Sequence, residues 1–269
     1  MTRITEQPGP YRKLEEKTVA ELTELINRED QKVALVIREA LPQLNRLIEA
    51  IIEKLKNGGR LFYVGAGSGG RLSVLDAIEL PTTYGVDPQM VQAILAGGVE
   101  NLVLALEEKE DDAEAAWKML QEKKVSRGDF VLGISASGTT PFVRGGLQDC
   151  RKEGIATGCL VSNPQSPIAA LADYPVELIT GPEFITGSTR MKCGTAQKMV
   201  FDMISTTVMI RLGRVQDNQM IDVKLINDKI TDRAVRILME RSGFTDYEKA
   251  KKLLLEWGSV RNALESLNR

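Results

Sequence analysis

Apolar residues recur along this chain with two periods. Between Asp30 and Lys56, the positions Val33, Val36, Ile37, Leu41, Leu44, Leu47, Ile48, Ile51 and Ile52 keep one stripe at helical spacing, and Asn57-Gly58-Gly59 ends it. Pro42 lies inside the stripe and predicts a break into two helices. Leu22, Leu25 and Ile26 predict a separate helix over 14–27, and Pro8-Gly9-Pro10 an extended arm over 1–11. After residue 60 the pattern changes to short apolar runs at 61–64, 90–95, 130–134, 157–161 and 176–179, which suit buried strands. Helical segments at 71–80, 101–123 and 141–152 fall between them, and another at 188–212 follows. This alternation predicts an α/β fold: a doubly wound, mainly parallel five-stranded sheet with helices on both faces and ligands at the carboxyl ends of its strands. From Ile221 onward the chain reads as entirely helical, an appendage too short to hold a core of its own. The expected organisation is residues 1–56 as arm and helices packing on the core, 57–220 as the ligand-binding sheet domain and 221–269 as a C-terminal helical region.

Two loops at strand ends have the composition of anion sites. After the first strand come Gly65, Ala66, Gly67, Ser68, Gly69 and Gly70, then a helix. Glycines let bare N–H groups approach a phosphate, and the positive end of the helix dipole favours its charge. Gly65, Gly67 and Gly70 also fit G-x-G-x-x-G, but the next strand ends in Ala96-Gly97-Gly98 without the acid that a dinucleotide ribose requires. After the third strand, Ser135, Ser137, Thr139 and Thr140 set four hydroxyls beside a helix start marked by Pro141. Helix capping by Thr139 or Thr140 is the plainer reading of that loop. Neither loop has the lysine of a nucleotide P-loop, so the pair points to a phosphate on a small molecule. Glu79 stands among apolar neighbours on the first of these helices, and Glu110 in an acidic run that resembles a solvated face.

Composition narrows the chemistry. The 269 residues contain no histidine, which excludes serine–histidine and cysteine–histidine hydrolysis and histidine-ligated metal sites. Acids and bases must come from carboxylates, lysine, tyrosine or cysteine. A net charge of −2 argues against a nucleic acid or anionic membrane partner. The first residues have no signal-peptide core and no stretch is long and apolar enough for a membrane span. Cys150, Cys159 and Cys193 show no C-x-x-C spacing and read as buried thiols of a cytoplasmic protein.

Four stretches in order, GAGSGGRLSVLDAIELPTTYG, AGGVENLVLALEEKEDD, GISASGTTPFV and TGSTRMKCGTAQKMV, closely resemble the N-acetylmuramic acid 6-phosphate etherases, members of the sugar isomerase (SIS) domain proteins. The resemblance runs from about Asp30 to Asn227 and is most specific over Gly187–Lys198. It implies a carbon–oxygen lyase of cell-wall amino sugar recycling that needs no metal or cofactor. Such an enzyme cleaves the D-lactyl ether at sugar carbon 3 by elimination and water addition. It places Glu79 as the acid and Glu110 as the base, and assigns Gly67, Ser68, Gly69, Ser135, Ser137, Thr139, Ser188 and Lys198 to substrate and phosphate binding. An acid that keeps its proton near neutral pH needs desolvated surroundings, which the neighbours of Glu79 lead one to expect. Glu79 lies about 16 Å along a helix from Ser68, farther than a sugar phosphate reaches, so either the helix bends back or Glu79 serves a site shared with a second subunit. SIS proteins commonly pair, and the resemblance with the apolar amino-terminal helices leads one to expect a homodimer with sites near its interface.

The chain departs from the family pattern in three places. Gly69 replaces a serine of the first loop, Ile78 and Leu80 flank the acid where a small residue and a proline are usual, and the helical tail is shorter. One lost hydrogen bond to a charged group weakens binding about ten- to a hundredfold, so Gly69→Ser is expected to tighten it if the backbone φ is negative. Two other functions share the pattern: a non-catalytic sugar-phosphate-binding regulator, as in glucokinase regulatory proteins, and an aldose–ketose isomerase, which also needs a base at carbon 2.

Overall fold

The structure is a computed structural model that describes residues 3–104 and 106–267. Its elements are α1 (Val19–Lys56), β1 (Leu61–Gly65), α2 (Gly67–Tyr84), β2 (Val91–Leu95), α3 (Ala115–Glu122), β3 (Phe130–Ser135), α4 (Pro141–Lys152), β4 (Ala156–Val161), β5 (Tyr174–Glu177), α5 (Lys192–Arg211), β6 (Val215–Gln216), β7 (Gln219–Met220), α6 (Asp228–Ser242), α7 (Tyr247–Trp257) and α8 (Val260–Ser266). They form two compact units, one of residues up to Ala77 with Val91–Ile204, the other of Ile78–Met90 with the chain from Ser205 onward.

The first unit holds the five-stranded sheet, in the order β2-β1-β3-β4-β5 and parallel throughout. Successive side chains of a strand face opposite ways, and both faces here are apolar. Phe62, Val64 and Val131 pack with Ala116, Leu120, Phe142, Val143 and Leu147 of α3 and α4. On the other face Tyr63 meets Phe201 of α5, with ring centroids 5.3 Å apart, and Leu47 of α1 lies against Gly158. The order places a topological switch point between β1 and β3, where consecutive connections leave in opposite directions and open a crevice.

Helix α1 is one element of 38 residues, with Pro42 inside it, and not two helices. Proline removes one hydrogen bond, which is outweighed by burial of Val33, Ile37, Leu44, Leu47, Ile51 and Leu55 along one stripe. No break occurs near Asn27, whose exposed side chain instead accepts a bond from Gln31 one turn on. The start lies at a capping box, where Thr18 Oγ1 accepts from the Glu21 N–H and Glu21 accepts from the Thr18 N–H. The stretch expected to be helical over 101–123 is mostly 3-10 turn and irregular chain, with α3 only from Ala115. Like charges at Glu107, Glu108, Glu110 and Asp111 oppose a continuous helix there. Asp112 Oδ1 accepts from the N–H groups of Glu114 and Ala115 and starts the next one.

Helix α5 begins at Lys192, four residues later than expected. Its start is fixed by Glu183, a fully buried carboxylate that accepts from the N–H groups of Lys192 and Cys193, both at 2.9 Å. The Lys192 ammonium meets Glu29 of α1 at 2.7 Å. Burial alone would raise the Glu29 pKa, but bonds from Lys192, Lys32 and Tyr11 hold it down to about 2.

In the second unit, α6, α7 and α8 bury Val235, Leu238, Ala250, Leu254, Val260 and Ala263 together with Ile221 and Val223. The C-terminal helices thus possess a core of their own, contrary to expectation. Asp222 ties its ends by accepting two bonds from Arg261, at 2.8 and 2.7 Å. The hairpin β6–β7, turning at Asp217 with a φ of 57°, is too short for a periodic signal.

Glu183→Ala should leave two buried N–H donors without acceptors and cost about 2–5 kcal/mol, read as a lower urea midpoint. Stability equal to that of the parent protein would contradict the role given to this carboxylate.

Candidate functional site

The crevice at the switch point contains a cavity of about 170 Å³. The loop after β1 supplies Ala66, Gly67, Ser68 and Gly69, and the loop after β3 supplies Ser135, Ala136, Ser137 and Thr140. Helix α2 starts at Gly67, so its first N–H groups open onto this space. Gly67 has a φ of +53°, which permits the turn from strand to helix, and a Cβ there would lie 2.9 Å from Glu110 Oε1.

The hydroxyls of the second loop are bonded into one network. Ser135 Oγ lies 2.8 Å from Thr140 Oγ1 and 3.3 Å from Ser137 Oγ, and it accepts from the Gly138 N–H. Thr140 occupies the N-cap position of α4 but makes no side-chain capping bond. Its hydroxyl turns to Ser135 instead, which leaves the first N–H groups of α4 without the capping partner that the plainer reading supplied. Among the described residues no lysine or arginine lines the cavity, so a phosphate there would be held by N–H groups, hydroxyls and two helix dipoles.

Glu110 sits on the 3-10 turn Glu107–Asp111 and faces the first loop while Glu107 and Glu108 are exposed. Burial raises its pKa, Glu107 and Asp111 add to the rise, and Arg71 opposes it. A half-buried carboxylate of raised pKa is a stronger base once ionised.

The expected residues divide. Gly67, Ser68, Gly69, Ser135, Ser137 and Glu110 meet at the cavity. Thr139 lines a neighbouring cavity of about 520 Å³ with Arg3, Asn163 and Ser166, and Thr140 takes the place expected of it. Ser188 and Lys198 do not line the cavity. Gly187, Thr189 and Gln197 of the same stretch do. Lys198 is paired with Asp202 one turn along α5. Glu79 belongs to the second unit and is exposed on its helix, beside exposed Ile78, so its own chain does not supply the desolvated surroundings expected of an acid. The sequence reading missed Glu6, Thr189 and Gln197. Only Thr189 and Gln197 carried a signal, being part of the long specific stretch. Glu6 arrives from the arm by tertiary contacts that no periodicity reveals.

Comparison with known proteins agrees with this fold. The model of the SIS domain matches residues 110–207, and that of the glucokinase regulatory protein N-terminal SIS domain matches residues 43–151. Among solved structures, a putative phosphosugar isomerase from Bacteroides fragilis superposes with a TM-score of 0.52 at 20% identity, over 72% of this chain and 91% of that one. An N-acetylmuramic acid 6-phosphate etherase of Porphyromonas gingivalis is 52% identical over 265 residues, 98% of this chain and 96% of the relative. The chain belongs to the N-acetylmuramic acid 6-phosphate etherase family. The etherase of Bacteroides thetaiotaomicron is 51% identical over 99% of this chain and 96% of its own length.

Gly69 is closely packed. Its φ is not left-handed, yet a Cβ would lie 2.7 Å from Ile134 Cγ2 and 2.8 Å from Gln197 Oε1. The expected tightening by Gly69→Ser therefore reverses. Overpacking should cost about 1–3 kcal/mol of stability and bring no gain in phosphate affinity. Titration calorimetry and thermal melting of the variant check this, and tighter binding at unchanged melting temperature would contradict it.

Proposed function

We propose that the protein cleaves the D-lactyl ether of N-acetylmuramic acid 6-phosphate to N-acetylglucosamine 6-phosphate and D-lactate, a step of cell-wall amino sugar recycling. The observation that carries this reading is identity of about half the residues, over nearly the whole chain, with proteins of that name. The cavity supports it, because a hydroxyl-lined anion site lies against a carboxylate of raised pKa.

The phosphate sits on the loop after β3 and the N-terminus of α2. With the sugar ring open, the aldehyde acidifies the proton on carbon 2 and Glu110 removes it. The electrons of that bond form the double bond between carbons 2 and 3 as the carbon 3–oxygen bond breaks, and the lactate oxygen takes a proton from Glu79. Water then adds its oxygen to carbon 3 and a proton returns to carbon 2. Glu79 requires cover that its own chain does not give. Leu75 and Ile78, one turn from it or beside it on the same helix, are apolar and exposed, which supports burial of this face against a second copy. The working enzyme is accordingly a homodimer with sites at the interface. The three free cysteines are all buried, which supports a reducing cytoplasm as its compartment.

Incubation with N-acetylmuramic acid 6-phosphate should release one D-lactate per sugar. Binding without lactate would leave a regulatory protein, and a ketose product an isomerase. Glu79→Ala should stop lactate release while the carbon 2 proton still exchanges with solvent. Glu110→Ala should slow both, by about a hundred- to ten-thousandfold. Lactate release at the normal rate by Glu79→Ala would refute the acid assignment. In sedimentation at assay concentration the active species should be a dimer, and an active monomer would refute the shared site.

A further inference from the structure

Among the described residues two carboxylates line the cavity, Glu110 and Glu6, and the proposed chemistry leaves Glu6 without a task. It lies on the N-terminal arm, where Thr5 is fully buried although Glu6 itself is exposed to the cavity. The arm is bolted to the site by Asn163. Its Oδ1 accepts from the N–H groups of Ile4 at 2.6 Å and Thr5 at 3.3 Å. Its Nδ2 donates to Thr5 Oγ1 at 3.1 Å and to the carbonyls of Ala136 at 3.0 Å and Ser137 at 3.3 Å. On the other side the Gly187 N–H donates to the Thr5 carbonyl, and Glu6 Oε2 lies 3.2 Å from where a Cβ on Gly187 would stand. The residue before Glu6 is therefore fixed both to the hydroxyl loop and to the turn ahead of α5.

A carboxylate so placed does not serve the phosphate, since like charges repel and no lysine or arginine among the described lining residues offsets them. It has only acceptor oxygens, so what it can bind on an N-acetylated sugar phosphate is the neutral donors. An amino sugar phosphate carries such donors on the side of the molecule away from the phosphate: hydroxyls, and the N–H of the acetamido group.

We propose that Glu6 is a substrate-binding residue whose carboxylate accepts hydrogen bonds from hydroxyl or amide N–H groups of the sugar, so that the cavity selects a sugar phosphate over free phosphate. The inference deepens the etherase reading and rests on it for the kind of sugar. Hydrogen bonds to a charged acceptor are the stronger kind, and the arm presents this one already positioned, so the sugar does not meet the cost of ordering it.

The test is calorimetric binding of N-acetylglucosamine 6-phosphate and, separately, inorganic phosphate to the full-length protein, to Glu6→Gln and to Glu6→Ala, with melting temperatures alongside. Both variants should bind the sugar phosphate more weakly, the alanine by roughly ten- to a hundredfold. Inorganic phosphate should bind them as tightly as the parent protein or more so, and melting should not change. Glutamine keeps the shape of the side chain, so it guards against a mere packing loss. Parallel weakening of both ligands, sugar-phosphate affinity unchanged, or a parent protein that prefers free phosphate would each overturn the inference. Binding is read independently of lactate release. A parent protein that releases no lactate yet shows this selective loss would refute the etherase reading and support the role of Glu6.

Discussion

The pairing of β1 with β3 is the constraint on which the site depends. Gly65 stands beside Ile134 at their carboxyl ends, so the two loops that follow leave the sheet side by side and diverge. Both loops end in helix starts, and both are built from residues that offer backbone N–H groups or hydroxyls. Any change in strand order would send them to different places and leave each with a weak anion site. Among the described residues the lining contains no lysine or arginine. Two helix dipoles and a bonded set of hydroxyls can hold a phosphate without them, and a nearby ammonium would lower the basicity of Glu110.

The rest of the first unit keeps these loops in register. Glu183 fixes the start of α5, the Glu29–Lys192 pair ties α5 to α1, and Asn163 joins the N-terminal arm to the loop after β3. All three are polar groups inside the fold, where an unpaired donor or charge is costly and a fully bonded one adds rigidity. Their common effect is to hold Glu6, Gly187, Thr189 and Gln197 in the lining of the cavity, with Gln197 against Gly69 of the glycine loop.

What the sequence disclosed and what it concealed have physical reasons. Buried parallel strands are nearly continuous apolar runs, so β1, β3 and β4 stand out, and glycine and serine loops directly after two of them mark the anion site. Strand order leaves no trace in periodicity, so the switch point was not visible. Pro42 suggested a break because the weight of a long buried stripe is not local information. The 101–123 stretch misled for the opposite reason: helix-forming residues abound there, but repulsion among its acids and the Asp112 turn prevail. Thr139 and Thr140 are equal candidates in sequence, and only the turn at Gly138, with its φ of 71°, decides which one faces the cavity.

A crystal structure of the protein with N-acetylglucosamine 6-phosphate tests the central claim most directly. The account predicts the phosphate on Ser135, Ser137 and Thr140 and at the first N–H groups of α2, with carbon 2 of the sugar turned to the Glu110 carboxylate. A phosphate bound instead in the neighbouring cavity, against Arg3 and Thr139, would contradict it.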